Sequence, residues 1–186
     1  MTGALKDLIK IRRHMINLGI LLYMWMASSF NSYLISFELK YLHGDIFHNS
    51  MVSFCSEVPF VLMGGYIYHK FGIRVVFTGA FFIALVGGLS LLFASEDYPD
   101  LATIMVTFAR DGVKATFDIC YLSNALIFPA IFAGTAYGVC NIGAKTVTIL
   151  SPMLAELNPP VPMIVFSSVA LIAIVLAQFI RVPDHK

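Results

Sequence analysis

Charge is scarce in this sequence. Only 12% of its 186 residues are Asp, Glu, Lys or Arg, about half the share of roughly 25% in an ordinary soluble domain. Hydrophobic residues make up 59% and the mean hydropathy is +0.83. Together these values exclude an ordinary soluble domain and point to an integral membrane protein. The net charge is +1, so no bulk field draws in nucleic acid, and no nucleic-acid partner is expected. Cysteine is also sparse. Cys55, Cys120 and Cys140 all fall in apolar stretches without metal-ligand spacing and read as small buried hydrophobes. There is no N-x-[ST] sequon, and the first apolar run leads into a full-length span with no small-residue cleavage site. Ser, His and Asp never gather at catalytic spacing, so no enzyme is expected. His43, Asp45 and His48 share one loop but lack further ligands, so neither a metal nor a cofactor is expected.

Long uncharged runs are what the chain does have. A spanning helix needs roughly 20 apolar residues. Six stretches qualify, so the expected fold is all-α: one polytopic transmembrane domain over residues 1–186 with six antiparallel helices. They are expected at about 14–38, 49–68, 73–95, 100–125, 131–154 and 161–180. Prolines at 159, 160 and 162 suit a turn and a first helical turn, where the missing N–H goes unused.

Loop charges set an expected orientation. Lys6, Lys10, Arg12 and Arg13 precede the first helix; Lys70 and Arg74 follow the second; Arg181 and Lys186 follow the sixth. The opposite loops hold Glu38, Lys40 and Asp45, then Glu96, Asp97 and Asp100, then Glu156. The positive-inside rule puts both termini on the cytosolic side, or the matrix side of a mitochondrial inner membrane. Gly134 and Gly138 form a G-x-x-x-G, and the pairs Gly64–Gly65 and Gly87–Gly88 offer further close helix approaches.

The stretch "FARDGVKATFD", Phe108 to Asp118, breaks the pattern. At about 100° per residue, Arg110, Tyr121, Lys114, Asp118 and Asp111 share an arc of roughly 100°. Asp111–Lys114 and Lys114–Asp118 have the three- and four-residue separations that suit ion pairs. A central charge costs about 2.5–3.5 kcal/mol to insert, so four unpaired ones would cost roughly 10–14 kcal/mol. This face is therefore expected to turn from lipid toward other helices, a wet cavity or a partner. It either lines a solute path or forms a closed ion-pair network. Glu57, inside the second helix before Pro59, is a further intramembrane charge: either a proton or cation site or, as the leading expectation, a partner for a basic group such as Lys145 or Arg110.

Five segments, in order, resemble the C-terminal six-helix half of the organic-ion transporters of the major facilitator superfamily. "MWMASSFNSYLIS" is similar to a Trp-containing helix through Trp25, Phe30, Tyr33 and Ser36; "SEVP" resembles a Glu-x-Pro; and "GGYIYHKFGIR" resembles the signature loop, with Gly65 and Gly72 in place. "FDICYLSNALIFP" matches through Phe117, Tyr121 and Pro129, and "GVCNIGAKTVTILSP" through Lys145 and Pro152. The resemblance implies half of a carrier whose solute site lies between two halves near the bilayer midplane.

Three departures bear on function. The resemblance places acidic or basic gate residues at His69, Leu126 and Ala133, where this chain has none. By resemblance the cytoplasmic gate of an alternating-access carrier is degenerate. The leading expectation is therefore a transport-degenerate half-carrier serving as a structural subunit of a larger membrane complex, with a mitochondrial inner-membrane complex as one home. Other membrane subunits would cover the charged face, and the polar end "VPDHK" would be tied down by neighbours. The alternative is a half-transporter that dimerises or pairs with a separate N-terminal half. It would move an organic anion past Arg110, Lys114 and Lys145, because the resemblance puts a basic residue at the position of Lys145 in anion carriers.

Overall fold

The computed structural model describes residues 5–38, 46–93 and 99–181, and among them the chain is helical with no strand. The helices are α1 (Leu5–Lys10), α2 (Arg12–Glu38), α3 (Ile46–Phe71), α4 (Ile73–Phe93), α5 (Pro99–Ile127), α6 (Ala130–Thr148), α7 (Leu150–Ala155) and α8 (Val161–Ala177). Lys40, His43, Asp45, Glu96, Asp97 and the terminal "VPDHK" run from 182 onward lie outside the described residues.

Where one helix was expected over 131–154, two stand end to end. Pro152 explains the break: a proline cannot donate to the carbonyl four residues back, and its ring crowds that carbonyl, which belongs to Thr148, the last residue of α6. Gly72 ends α3. Its φ of +81° is a left-handed conformation that suits glycine, and its N–H reaches back to the Tyr68 carbonyl at 2.9 Å. Two of the helices, over Arg12–Phe37 and Ile73–Leu92, are long and apolar enough to cross a membrane, and α8 is apolar but shorter at 17 residues. The sequence expects six such spans; α5, with its interior charges, is one of those that fall short on apolarity.

α5 lies at the centre, against α2, α3, α4 and α6, while α4 packs between α5 and α8. Trp25, Phe77, Phe81 and Phe166 fill the interior and are fully buried. The helices approach closely where small residues permit it. A Cβ on Gly87 would lie 2.7 Å from the Ala109 backbone nitrogen, and one on Gly88 would lie 2.6 Å from the Phe166 ring. Gly134 and Gly138 do not work this way: a Cβ on either meets nothing within 4 Å. The G-x-x-x-G of α6 therefore mediates no packing within the described chain.

α2 is stitched to its neighbours by polar groups, the glue expected between helices in lipid. Ser28 Oγ meets Thr116 Oγ1 on α5 at 2.8 Å, and Ser29 Oγ meets Thr148 Oγ1 on α6 at 2.8 Å. Asn31 donates to the Phe166 carbonyl on α8, and Ser151 on α7 donates to the Phe30 carbonyl. The outer surface is oily instead. Met51, Leu62, Phe82, Ile142, Ile149 and Val175 are all more than half exposed. A soluble protein rarely tolerates this much contiguous apolar surface, whereas a bilayer favours it. The molecule is a helical membrane protein.

Candidate functional site

The charged arc of α5 divides among three surroundings. Arg110 and Asp111 are buried and face α3. Arg110 Nη2 lies 3.9 Å from Glu57 Oε2, and Ser56, one residue earlier, hydrogen-bonds Asp111. Of the two pairings expected for Glu57, the structure makes the one with Arg110. Burial of this quartet removes about half of the arc from lipid.

Lys114, half-buried, turns the other way. It lines a cavity of about 380 Å³ between α2, α5 and α6, together with Phe117, Tyr121 and Lys145. α2 contributes Ser29, Ser32, Tyr33 and Ser36. These four positions fall on one side of a helix, spaced by three, four and seven residues. The cavity thus holds two ammonium groups, three hydroxyls of serine and two of tyrosine, and among the described residues no carboxylate lines it. Low-dielectric walls lined by one sign of charge focus the field and concentrate the opposite ion.

Asp118, one turn on from Lys114, is exposed and lines a different opening, a notch of about 190 Å³ beside Phe60, Gly64, Gly65 and Leu122. The four-residue spacing that suits an ion pair instead serves two separate openings on either side of α5.

An aromatic cluster backs the lysine cavity. The Trp25 ring lies 4.8 Å from Tyr121 and 5.4 Å from Tyr137, both edge-on, and Phe117 lies 5.3 Å from Tyr121. Such edge-to-face packing fixes the rings, so Tyr121 reaches the cavity from a rigid support. Trp25, Ser29, Ser32 and Phe117 were not among the expected site residues. The three-, four- and seven-residue spacing of hydroxyls on α2 is the signal that could have found the serines, whereas Trp25 and Phe117 stood in the sequence only as positions of the family resemblance.

The three gate positions sit apart from the cavity. His69 is exposed near the end of α3, Leu126 is half-buried near the end of α5, and Ala133 lies in the first turn of α6. The Ala133 carbonyl accepts a hydrogen bond from Asn124 Nδ2 at 3.0 Å, which ties α5 to α6 with neutral groups.

This geometry defines a helical membrane protein with a basic, hydroxyl-lined cavity that is open at Lys145. No protein-family model matches the chain. It is similar to the organic cation/carnitine transporter 2 of Homo sapiens, with 29% identity over 163 residues, 84% of this chain and 29% of that protein. It is similar also to solute carrier family 22 member 4 of Mus musculus, at 24% identity, and to organic anion transporter 3 of Oryctolagus cuniculus, at 23%; both matches cover 84% of the chain. The chain is thus a relative of the organic-ion transporters of the major facilitator superfamily, and the resemblance read from its motifs holds. It spans less than a third of the length of the curated relatives it matches. Those relatives are transporters, and the chain is not an enzyme.

Proposed function

We propose that this chain forms the basic, substrate-facing part of a membrane carrier for an organic anion. The cavity shared by Lys114 and Lys145 carries this reading, because two cations with no carboxylate among the described lining residues select negative charge. Arg110, a third counter-charge on the path in the alternative half-transporter expectation, is instead engaged by Glu57. It holds α3 against α5, and the anion path runs over the two lysines, the serines of α2 and Tyr121.

In this reading the chain is one membrane domain of six spans: α2, α3, α4, α5, the α6–α7 pair and α8. At about 1.5 Å per residue, the 26 residues of α3 extend roughly 39 Å and the 17 of α8 roughly 25 Å, which a bilayer core of about 30 Å accommodates through tilt and snorkelling. Arg12, Arg13, Lys70, Arg74 and Arg181 share one side, the cytosolic or matrix side by the charge rule. The open side of the cavity, with Lys145 exposed, is covered by further carrier polypeptide.

The test is uptake of a labelled organic anion into proteoliposomes. Lys145→Ala should abolish uptake, and uptake indifferent to both lysines would remove the proposed path.

A second reading rests on the gate positions. The neutral Asn124–Ala133 hydrogen bond stands where an alternating-access carrier would keep a charged contact that breaks and re-forms. It favours a carrier-derived segment fixed in one state, a structural subunit whose charged face is sheltered by other membrane proteins; a mitochondrial inner-membrane complex fits that role. Native purification separates the two: stable co-elution with unrelated membrane subunits, without uptake, supports the structural role.

A further inference from the structure

A second opening lies on the opposite side of α5 from the lysine cavity. It is an apolar groove of about 200 Å³ between α3, α4 and α5, floored by Ala80, Gly112 and Ala115 and walled by Met63, Ile67 and Val75. Two observations show that it is open. Met63 and Val75 are 57% and 49% exposed. A Cβ on Gly64 or Gly79, both in the lining, would meet nothing within 4 Å. On α4 the groove runs from Val75 to Ile83, about 12 Å at a rise of roughly 1.5 Å per residue.

One end of this groove stops a single turn from the α3–α4 connection, which carries His69, Lys70 and Arg74, all exposed. Lys70 lies 5.4 Å over the Phe71 ring, which directs its ammonium along the surface at that end. Arg74 is exposed, and its Nε donates to the Ile180 carbonyl at 2.8 Å, which holds the guanidinium at this end of the bundle. Among the described residues no carboxylate lines the groove; Asp118 lines the adjoining notch instead. An apolar slot about one acyl segment long, opening beside two cations at a membrane protein's interfacial end, has the shape and charge of one occupant.

We propose that the groove seats an acyl chain of an anionic phospholipid whose phosphate is held by Lys70 and Arg74. The apolar walls supply burial for the chain, and the two cations supply preference for negative headgroups. The site is separate from the lysine cavity and does not depend on its function.

The test uses the full chain in phosphatidylcholine nanodiscs doped with a phosphatidylglycerol that carries a photoactivatable diazirine on one acyl chain. Irradiation should place adducts on peptides spanning Met63–Ile67 and Val75–Ile83. Unlabelled phosphatidylglycerol should compete and phosphatidylcholine should not. Gly79→Leu fills the slot and should remove these adducts, whereas Gly134→Leu, at an equally open position on α6, should leave them. Lys70→Gln should lower the preference for phosphatidylglycerol roughly fivefold, the effect of about one surface cation. Adducts spread evenly over all lipid-facing helices, equal labelling from phosphatidylcholine, or indifference to Gly79→Leu would overturn the proposal. So would crosslinks that join two protein chains through the groove.

Discussion

Glu57 on α3 and Arg110 on α5 meet across 3.9 Å, the guanidinium 7% exposed and the carboxylate 25%. The contact lets a helix with four interior charges sit in a membrane protein, because it places Arg110 against protein rather than acyl chains. It also pins α3, the helix that holds Pro59 in its interior, to the centre of the bundle.

Removing one partner of this pair leaves a buried cation behind. Glu57→Gln should destabilise the fold by about 1–3 kcal/mol, less than a fully buried pair would lose because the carboxylate is partly solvated and Ser56 and Asp111 remain nearby. The double variant Glu57→Gln/Arg110→Met should recover most of the loss. Thermal unfolding in detergent, compared across the three proteins, reads this directly.

The close approaches make a graded prediction. Gly87→Ala puts a methyl 2.7 Å from the α5 backbone and Gly112→Ala puts one 2.7 Å from the Ala84 nitrogen. Each should cost about 1–3 kcal/mol as α4 and α5 are forced apart. Gly138→Ala, with open space around it, should be neutral or stabilising by about 0.4–1 kcal/mol through reduced freedom of the unfolded chain. Equal losses in all three would show that the α4–α5 contact is not as tight as described.

Asn17 closes the bundle where α2 meets the end of α8. Its Nδ2 donates to the Arg181 carbonyl at 2.8 Å and its Oδ1 accepts from the Arg181 N–H at 2.9 Å. Asn17→Leu removes both bonds and leaves the Arg181 N–H and carbonyl, which are only partly buried, to water, so a loss of roughly 1–2 kcal/mol is expected. Hydrogen exchange at the end of α8 should accelerate in the variant while the centre of α4 stays protected.

Much of the helical content was legible because lipid imposes a simple rule: charge-free runs of spanning length become helices. The rule is blind to breaks inside an apolar run, and the turn at Ile149 escaped it because Pro152 acts on a carbonyl four residues earlier. The charged arc was legible as a face that avoids lipid, but its division was not. An arc of roughly 100° is wide enough to touch two neighbouring helices, and the wheel does not say which neighbour each residue meets. Hence Arg110 and Asp111 went to α3, Lys114 to α2 and α6, and Asp118 to its own notch. The glycines show the same limit. Spacing identified Gly134 and Gly138 as well as Gly87, yet only the fold says which of them has a helix opposite.

Trp25 is the sole tryptophan, and its ring touches Tyr121 on the wall of the lysine cavity. Its emission is therefore a built-in reporter of occupancy, and the decisive measurement is a fluorescence titration of the reconstituted protein with benzoate and with benzyltrimethylammonium. Selection of anions by Lys114 and Lys145 predicts a saturable change with benzoate and none with the cation. Lys145→Ala should weaken benzoate roughly 10- to 100-fold, the value of one charge-assisted contact. A response to the cation equal to that for benzoate, or benzoate binding unchanged in Lys145→Ala, would contradict an anion site in this cavity.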